Sequence, residues 1–206
     1  MTQVKEPTIM TKEQLIEKYR DINVDGDWWH EDVYSWFEER CDEQGVSVAR
    51  LNKNNARDIS WSGFWSQGDG ASFGGKIEDY AKALGGRLND YPILNKYITE
   101  LNGYISCNWN TNYRYHGIAN FSINVEDIDA YLDSDHPFGE LWQEQMNTEL
   151  DAVECHLLDL VEDLCSLLYK SLEDEYEALT SDEAVWDTIE ANELDKLEEE
   201  EDYETT

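Results

Sequence analysis

ELWQEQMNTELDAVECHLLDLVEDLCSLLYKSLEDEYEAL, Glu140 to Leu179, is the stretch that decides the fold. Met146, Leu150, Val153, Leu157, Leu160, Val161, Leu164, Leu168 and Leu172 recur at three- and four-residue intervals, which lines one side of an α-helix. At about 100° per residue, Glu140, Glu144, Asp151, Asp159, Glu162 and Glu173 gather on the opposite side. The spacing predicts one long amphipathic helix, apolar toward a sheet and acidic toward water or a partner.

Upstream the hydrophobic period is two. Ile105, Cys107 and Trp109 alternate on one strand, a turn falls near Asn110 to Asn112, and Tyr113, Tyr115, Gly117, Ala119, Phe121, Ile123 and Val125 follow on a second. Val46 and Val48, then Ile59, Trp61, Gly63 and Trp65, then Ala71, Phe73, Gly75 and Ile77 repeat the pattern around a QGDG turn. Short helices are expected near Tyr80 to Leu84 and from Pro92 to Leu101. Two more open the chain: one from Thr11, where T-K-E-Q has capping-box spacing, and one from DGDWW to Gly45. Downstream, Ser181 caps a last helix with Asp182 and Glu183 in its first turn. The expected fold is α+β: a small antiparallel sheet of four or five strands, N-terminal helices and a long acidic C-terminal amphipathic helix. Residues 1–192 read as one domain, with 126–192 its acidic helical part, and 193–206 as a solvated acidic tail.

An apolar fraction of 40% with 8 Trp and 12 Tyr suffices for a core without disulfide or metal. No run approaches the roughly 18 apolar residues of a membrane span, and the N-terminus lacks the basic-then-apolar order of a signal peptide. The expected location is therefore the cytoplasm of the host cell. Cys41, Cys107, Cys155 and Cys165 form no C-x-x-C pair and read as structural thiols. The net charge of −32 is unevenly placed. Up to Val125 there are 18 acidic and 13 basic residues, and beyond it 29 acidic and 2 basic. Such a field repels nucleic acid and anionic membranes and attracts basic protein surfaces, metal cations or polyamines.

Three segments, DWWHEDVY (Asp27–Tyr34), WSGFWSQGDGASF (Trp61–Phe73) and LTSDEAVWDTIEAN (Leu179–Asn192), resemble a widespread family of small uncharacterised bacteriophage and prophage proteins, sometimes labelled antitoxin-like. The resemblance implies a phage-related origin and a shared fold; it carries no reaction and no catalytic residue. The chain departs from that pattern after Asn192, where an acidic ending replaces a short polar and aromatic segment.

Two loops hold candidate chemistry. SQGDGASF joins two strands and offers Gln67 and Asp69 to a partner, with Ser72 as a conceivable nucleophile; a tight turn closed by its own Ser and Asp side chains explains the same residues. Neither a Walker lysine nor a G-x-S-x-G elbow is present. The segment DINVDGDWWHED places Asp21, Asn23 and Asp25 at positions 1, 3 and 5 of an EF-hand-like loop with Gly26 at position 6. Asp32 replaces the bidentate Glu at position 12, and a capped helix-loop-helix is the preferred reading. The four histidines lack zinc spacing, so no metal, cofactor or catalytic residue is assigned.

Three functions remain open. In the first, Glu144, Asp151, Asp159, Glu162 and Glu173, with Gln67 and Asp69, meet the basic groove of a host nucleic-acid-binding protein and inhibit it, as an anti-CRISPR or anti-restriction DNA mimic would. Twelve acids over Glu140 to Glu177 give one charge per roughly 5 Å of helix, sparser than the 3.4 Å of a DNA strand. The last helix, the tail or a homodimer would have to add charge. In the second, an antitoxin-like neutraliser grips a toxin through Trp28, Trp65 or Trp186. The third is an enzyme built on SQGDGASF.

Overall fold

The structure, a computed structural model, describes residues 10–26, 28–51, 55–100, 103–112, 117–125 and 139–196. It is an α+β protein. Two compact units form along the chain, Met1–Val33 with Ser171–Thr206, and Tyr34–Lys170.

The first unit is helical. Helix α1 (Lys12–Lys18) starts at the expected capping box, the Gln14 N–H donating to Thr11 Oγ1 and the Thr11 N–H to Gln14 Oε1 at 2.8 Å. Its buried Leu15 and Ile16 pack on Val185 and Ile189 of the last helix, α6 (Asp182–Ala191), which Ser181 caps. Trp186 and Leu194 pack on the same cluster, and the Lys12 ammonium sits 4.1 Å from the Trp186 ring centre. Trp186 is thus half-buried and engaged, a poorer anchor for a partner than its sequence position suggests. Leu194 belongs to the stretch expected to be a tail; residues 197–206 lie outside the described ones.

The second unit holds the sheet. Helix α2 (Glu31–Glu43) enters it and ends before Gly45. Strands β1 (Val46–Val48), β6 (Gly75–Ile77), β7 (Ile105–Asn112) and β8 (Gly117–Val125) form an antiparallel sheet in the order β1-β6-β7-β8. Two ribbons are hydrogen-bonded separately from it: β2 (Arg50–Leu51) with β3 (Ala56–Arg57), and β4 (Ile59–Ser62) with β5 (Gly70–Phe73). The alternation from Ala71 to Ile77 is therefore shared between two sheets, and Trp65 lies in a turn instead of a strand. The chain changes sheets at Gly74, where a Cβ would collide with the buried Asp58 carboxylate; Asp58 in turn accepts from Thr111 Oγ1 at 2.9 Å. The β7 ladder runs through Asn110, Thr111 and Asn112, shifting register after Asn108, so these three residues are strand and not the turn expected there. Tyr113 and Tyr115 fall outside the described residues.

Aromatic rings fill this core. Phe73 meets Phe37 and Trp109 edge to face at 5.0 and 5.5 Å, and the Trp109 indole N–H donates to the Phe73 carbonyl at 2.8 Å. A short α3 (Tyr80–Ala83) leads to α4 (Pro92–Thr99), and the long helix α5 spans Gly139–Leu179, matching the expected Glu140–Leu179 within a residue. On α5, Met146, Val153, Leu157, Val161, Leu164, Leu168 and Leu172 are buried, whereas Leu150 and Leu160 are only half-buried.

One acid of α5 does not face water. Glu149, 8% exposed, accepts from the Leu94 N–H at 2.8 Å and the Ile93 N–H at 3.3 Å. Tyr91, the residue before α4, supplies no side-chain cap and Pro92 has no N–H, so a carboxylate from another helix closes this N-terminus. Glu149→Ala should therefore cost about 2–3 kcal/mol, read as a lower urea midpoint with unchanged slope, because two enclosed donors lose a charged acceptor. A change under about 0.5 kcal/mol would remove this role.

Candidate partner-binding site

Of the acids expected to face a partner, Glu144, Asp151, Asp159 and Glu162 are exposed on α5 within the second unit. Among the described residues none of these four is in an ion pair; the ion pairs present take other acids, such as Glu38 between Arg50 and Arg57. Glu173 lies in the first unit, is half-buried and is engaged with neighbours. It contributes less than the other four to an open face.

The SQGDGASF segment is a closed turn. The Asp69 carboxylate accepts from the Ser66 N–H, and the Asp69 N–H donates to the Ser66 carbonyl at 3.1 Å. Gly63, at φ +39°, lets this carboxylate lie against its backbone, where a Cβ would come within 2.7 Å of both oxygens. Gln67 is exposed in this turn. Ser72 is wholly enclosed on β5, its Oγ without a hydrogen-bond partner, so no substrate can reach it as a nucleophile.

The turn nevertheless borders a concave surface. A cleft of about 460 Å³ lies between the starts of β5 and β8 and one side of α5, and Asp69, Ala71, Ile118, Glu162, Cys165 and Tyr169 line it. It stays open because the strands offer it Gly70, Ala71 and Gly117, which have almost no side chain to fill it. Asp69 and Glu162, far apart in sequence, thus share one cleft. Sequence reasoning missed Cys165, Tyr169 and Ile118. The helical spacing of Glu162, Cys165 and Tyr169 at i, i+3 and i+7 was the available signal. Phe64 connects this region to an outer ring: it packs against Tyr169 and Trp65 with centroids 5.8 Å away in each case, and Trp65 is 71% exposed.

Cys165 is no nucleophile. Burial pushes its thiol up to about 11, that of Cys107 up to about 12, and that of Cys41 higher still. The folded chain therefore holds these protons where the unfolded chain, with thiols near the ordinary value of about 8.5, releases them. Stability contributed by the buried thiols is fully present below pH ~8.5 and is lost as pH rises toward 11–12. Urea midpoints should accordingly fall from pH 8 to 10.5, and Cys107→Ala with Cys165→Ala should flatten that fall; an equally steep profile in the double variant would assign the loss to other groups.

In the EF-hand-like loop two of the candidate ligands, Asp21 and Asn23, are committed elsewhere. Asn23 donates through Nδ2 to the Leu179 carbonyl at 2.9 Å and accepts from Thr188 Oγ1 at 2.7 Å, and Asp21 accepts from the Tyr176 hydroxyl. Asp27, at position 7, lies outside the described residues. Calorimetry should show no calcium binding in the micromolar range, because recruiting Asn23 would cost two hydrogen bonds. Micromolar affinity lost in Asp21→Ala would refute this. His156 is half-buried and pairs with the Tyr91 hydroxyl and with Arg87, consistent with an ordinary polar histidine.

No helix among the described residues is long and apolar enough to cross a membrane. No curated protein and no solved structure matches the chain. Residues 29–182, about three quarters of its length, match a family described as a domain of unknown function, DUF8835, and the chain belongs to that family.

Proposed function

We propose that this is a phage-encoded acidic binding protein that inhibits a host nucleic-acid-handling defence protein by occupying its basic groove, in the manner of an anti-CRISPR or anti-restriction protein. The observation that carries the reading is the open face of α5, where Glu144, Asp151, Asp159 and Glu162 project into water with no ion-pair partner among the described residues. A protein that needed acids only for solubility could spread them over the whole chain, yet 29 of the 47 lie beyond Val125. Such a field steers a cationic surface and excludes nucleic acid from the same groove. It does not itself bind nucleic acid or an anionic membrane.

The second reading, an antitoxin-like neutraliser of a toxin, rests on exposed aromatic anchors. Trp65 and Trp28 are 71% and 61% exposed. Affinity capture from host cells with and without a defence system supplies the partner, and competition decides. Under the first reading the partner releases its DNA or RNA as this protein binds, and affinity falls steeply between 50 and 300 mM salt. A partner that holds nucleic acid and this protein together, with affinity indifferent to salt, overturns it in favour of the second.

A further inference from the structure

The cleft beside Asp69 has features that an acidic solvated face does not explain. It is concave, within the roughly 300–1,000 Å³ of ligand sites. Its walls combine apolar surface from Ala71 and Ile118 with the Tyr169 ring. Two acidic residues, Asp69 and Glu162, line it, and no basic residue does. Trp65 stands at the edge of the same turn, since the residue that follows it, Ser66, donates its N–H to the Asp69 carboxylate.

We propose that this cleft receives one arginine side chain of the protein partner, a specific anchor within the broader acidic surface. The inference rests on the acidic-binder reading above and names what that binder grips. Charge complementarity selects a cation, and the apolar wall selects one with a long aliphatic stem. Arginine meets both needs better than lysine. Its guanidinium is more weakly hydrated, offers a fork of donors to carboxylates, and stacks on an aromatic ring such as that of Tyr169, which lines the cleft. A metal ion fits less well: among the described residues no group of three or more His, Cys, Asp or Glu converges anywhere.

The test is a titration of the full-length chain with N-acetyl-arginine methylamide, followed by NMR at the Trp65 indole N–H and the Ala71 and Ile118 methyl groups. N-acetyl-citrulline methylamide, uncharged and nearly isosteric, is the control. Saturable shifts at these three positions are expected with the arginine probe and not with citrulline. Asp69→Asn with Glu162→Gln should weaken the arginine probe at least tenfold, while Glu144→Gln with Asp151→Asn, which removes as much charge from the open face, should change it less than twofold. Asn at position 69 can still accept from Ser66, and a thermal melt confirms that the fold persists. Equal losses in the two double variants would overturn the cleft and leave the acidic-binder reading standing. Equal binding of citrulline would also overturn it. Conversely, arginine binding confined to the cleft, together with a partner that keeps its nucleic acid, would retain the cleft and discard the mimicry reading.

Discussion

Leu157→Asp should abolish the cooperative unfolding transition of the Tyr34–Lys170 unit at 25 °C. Leu157 is fully buried, in the middle of a run that includes Val153, Val161, Leu164 and Leu168, with exposures from 0 to 4%. An aspartate there loses the leucine's contacts, about 2–5 kcal/mol, and either buries an unpaired charge or takes up a proton to avoid it. The total, at or above about 5 kcal/mol, matches the whole stability of many domains. Leu160→Asp, three residues on, should cost only about 1–2 kcal/mol, because the side chain is half-buried and the carboxylate can reach water. Urea titrations followed by far-UV circular dichroism separate the two. A larger loss for Leu160→Asp than for Leu157→Asp would mean that α5 is rotated about its axis from the orientation described.

That contrast also shows where sequence reasoning is strong. The limits of α5, the Thr11 capping box, the Ser181 cap and the Gly45 stop all depend on residues within a turn of each other, and each was legible. The acidic face of α5 was legible for the same reason, since helical geometry fixes which residues share a side. What failed depended on partners distant in sequence. Glu149 has the composition of its exposed neighbours, and only the arrival of the α4 N-terminus makes it a buried cap. The order β1-β6-β7-β8 pairs strands across the β4–β5 ribbon, and a period of two says which face a residue takes but not which strand lies beside it. Asp69 and Glu162 share a cleft for a reason equally non-local: Gly70 and Gly117, in separate strands, leave the space open between them.

Glu144→Gln, Asp151→Asn, Asp159→Asn and Glu162→Gln, combined in one variant, should weaken the captured partner on the order of a hundredfold at low salt. All four side chains are exposed on one helix, and none is in an ion pair among the described residues, so the folded state loses no internal contact when their charge is removed. Exposed charge pairs contribute about 0.2–1 kcal/mol each, so four amount to about 1–4 kcal/mol. The loss should appear mainly in the association rate, where long-range attraction acts, with a smaller change in dissociation. It should shrink as salt rises and screening shortens the reach of the field to about 8 Å at physiological ionic strength. Stability should stay level or increase, because a chain of net charge −32 repels itself and the variant relieves part of that repulsion. A variant that binds with full affinity and an unaltered salt dependence would show that the α5 face is only solvated surface. The grip on the partner would then fall to the exposed aromatics, and Trp65→Ala would become the substitution that releases it.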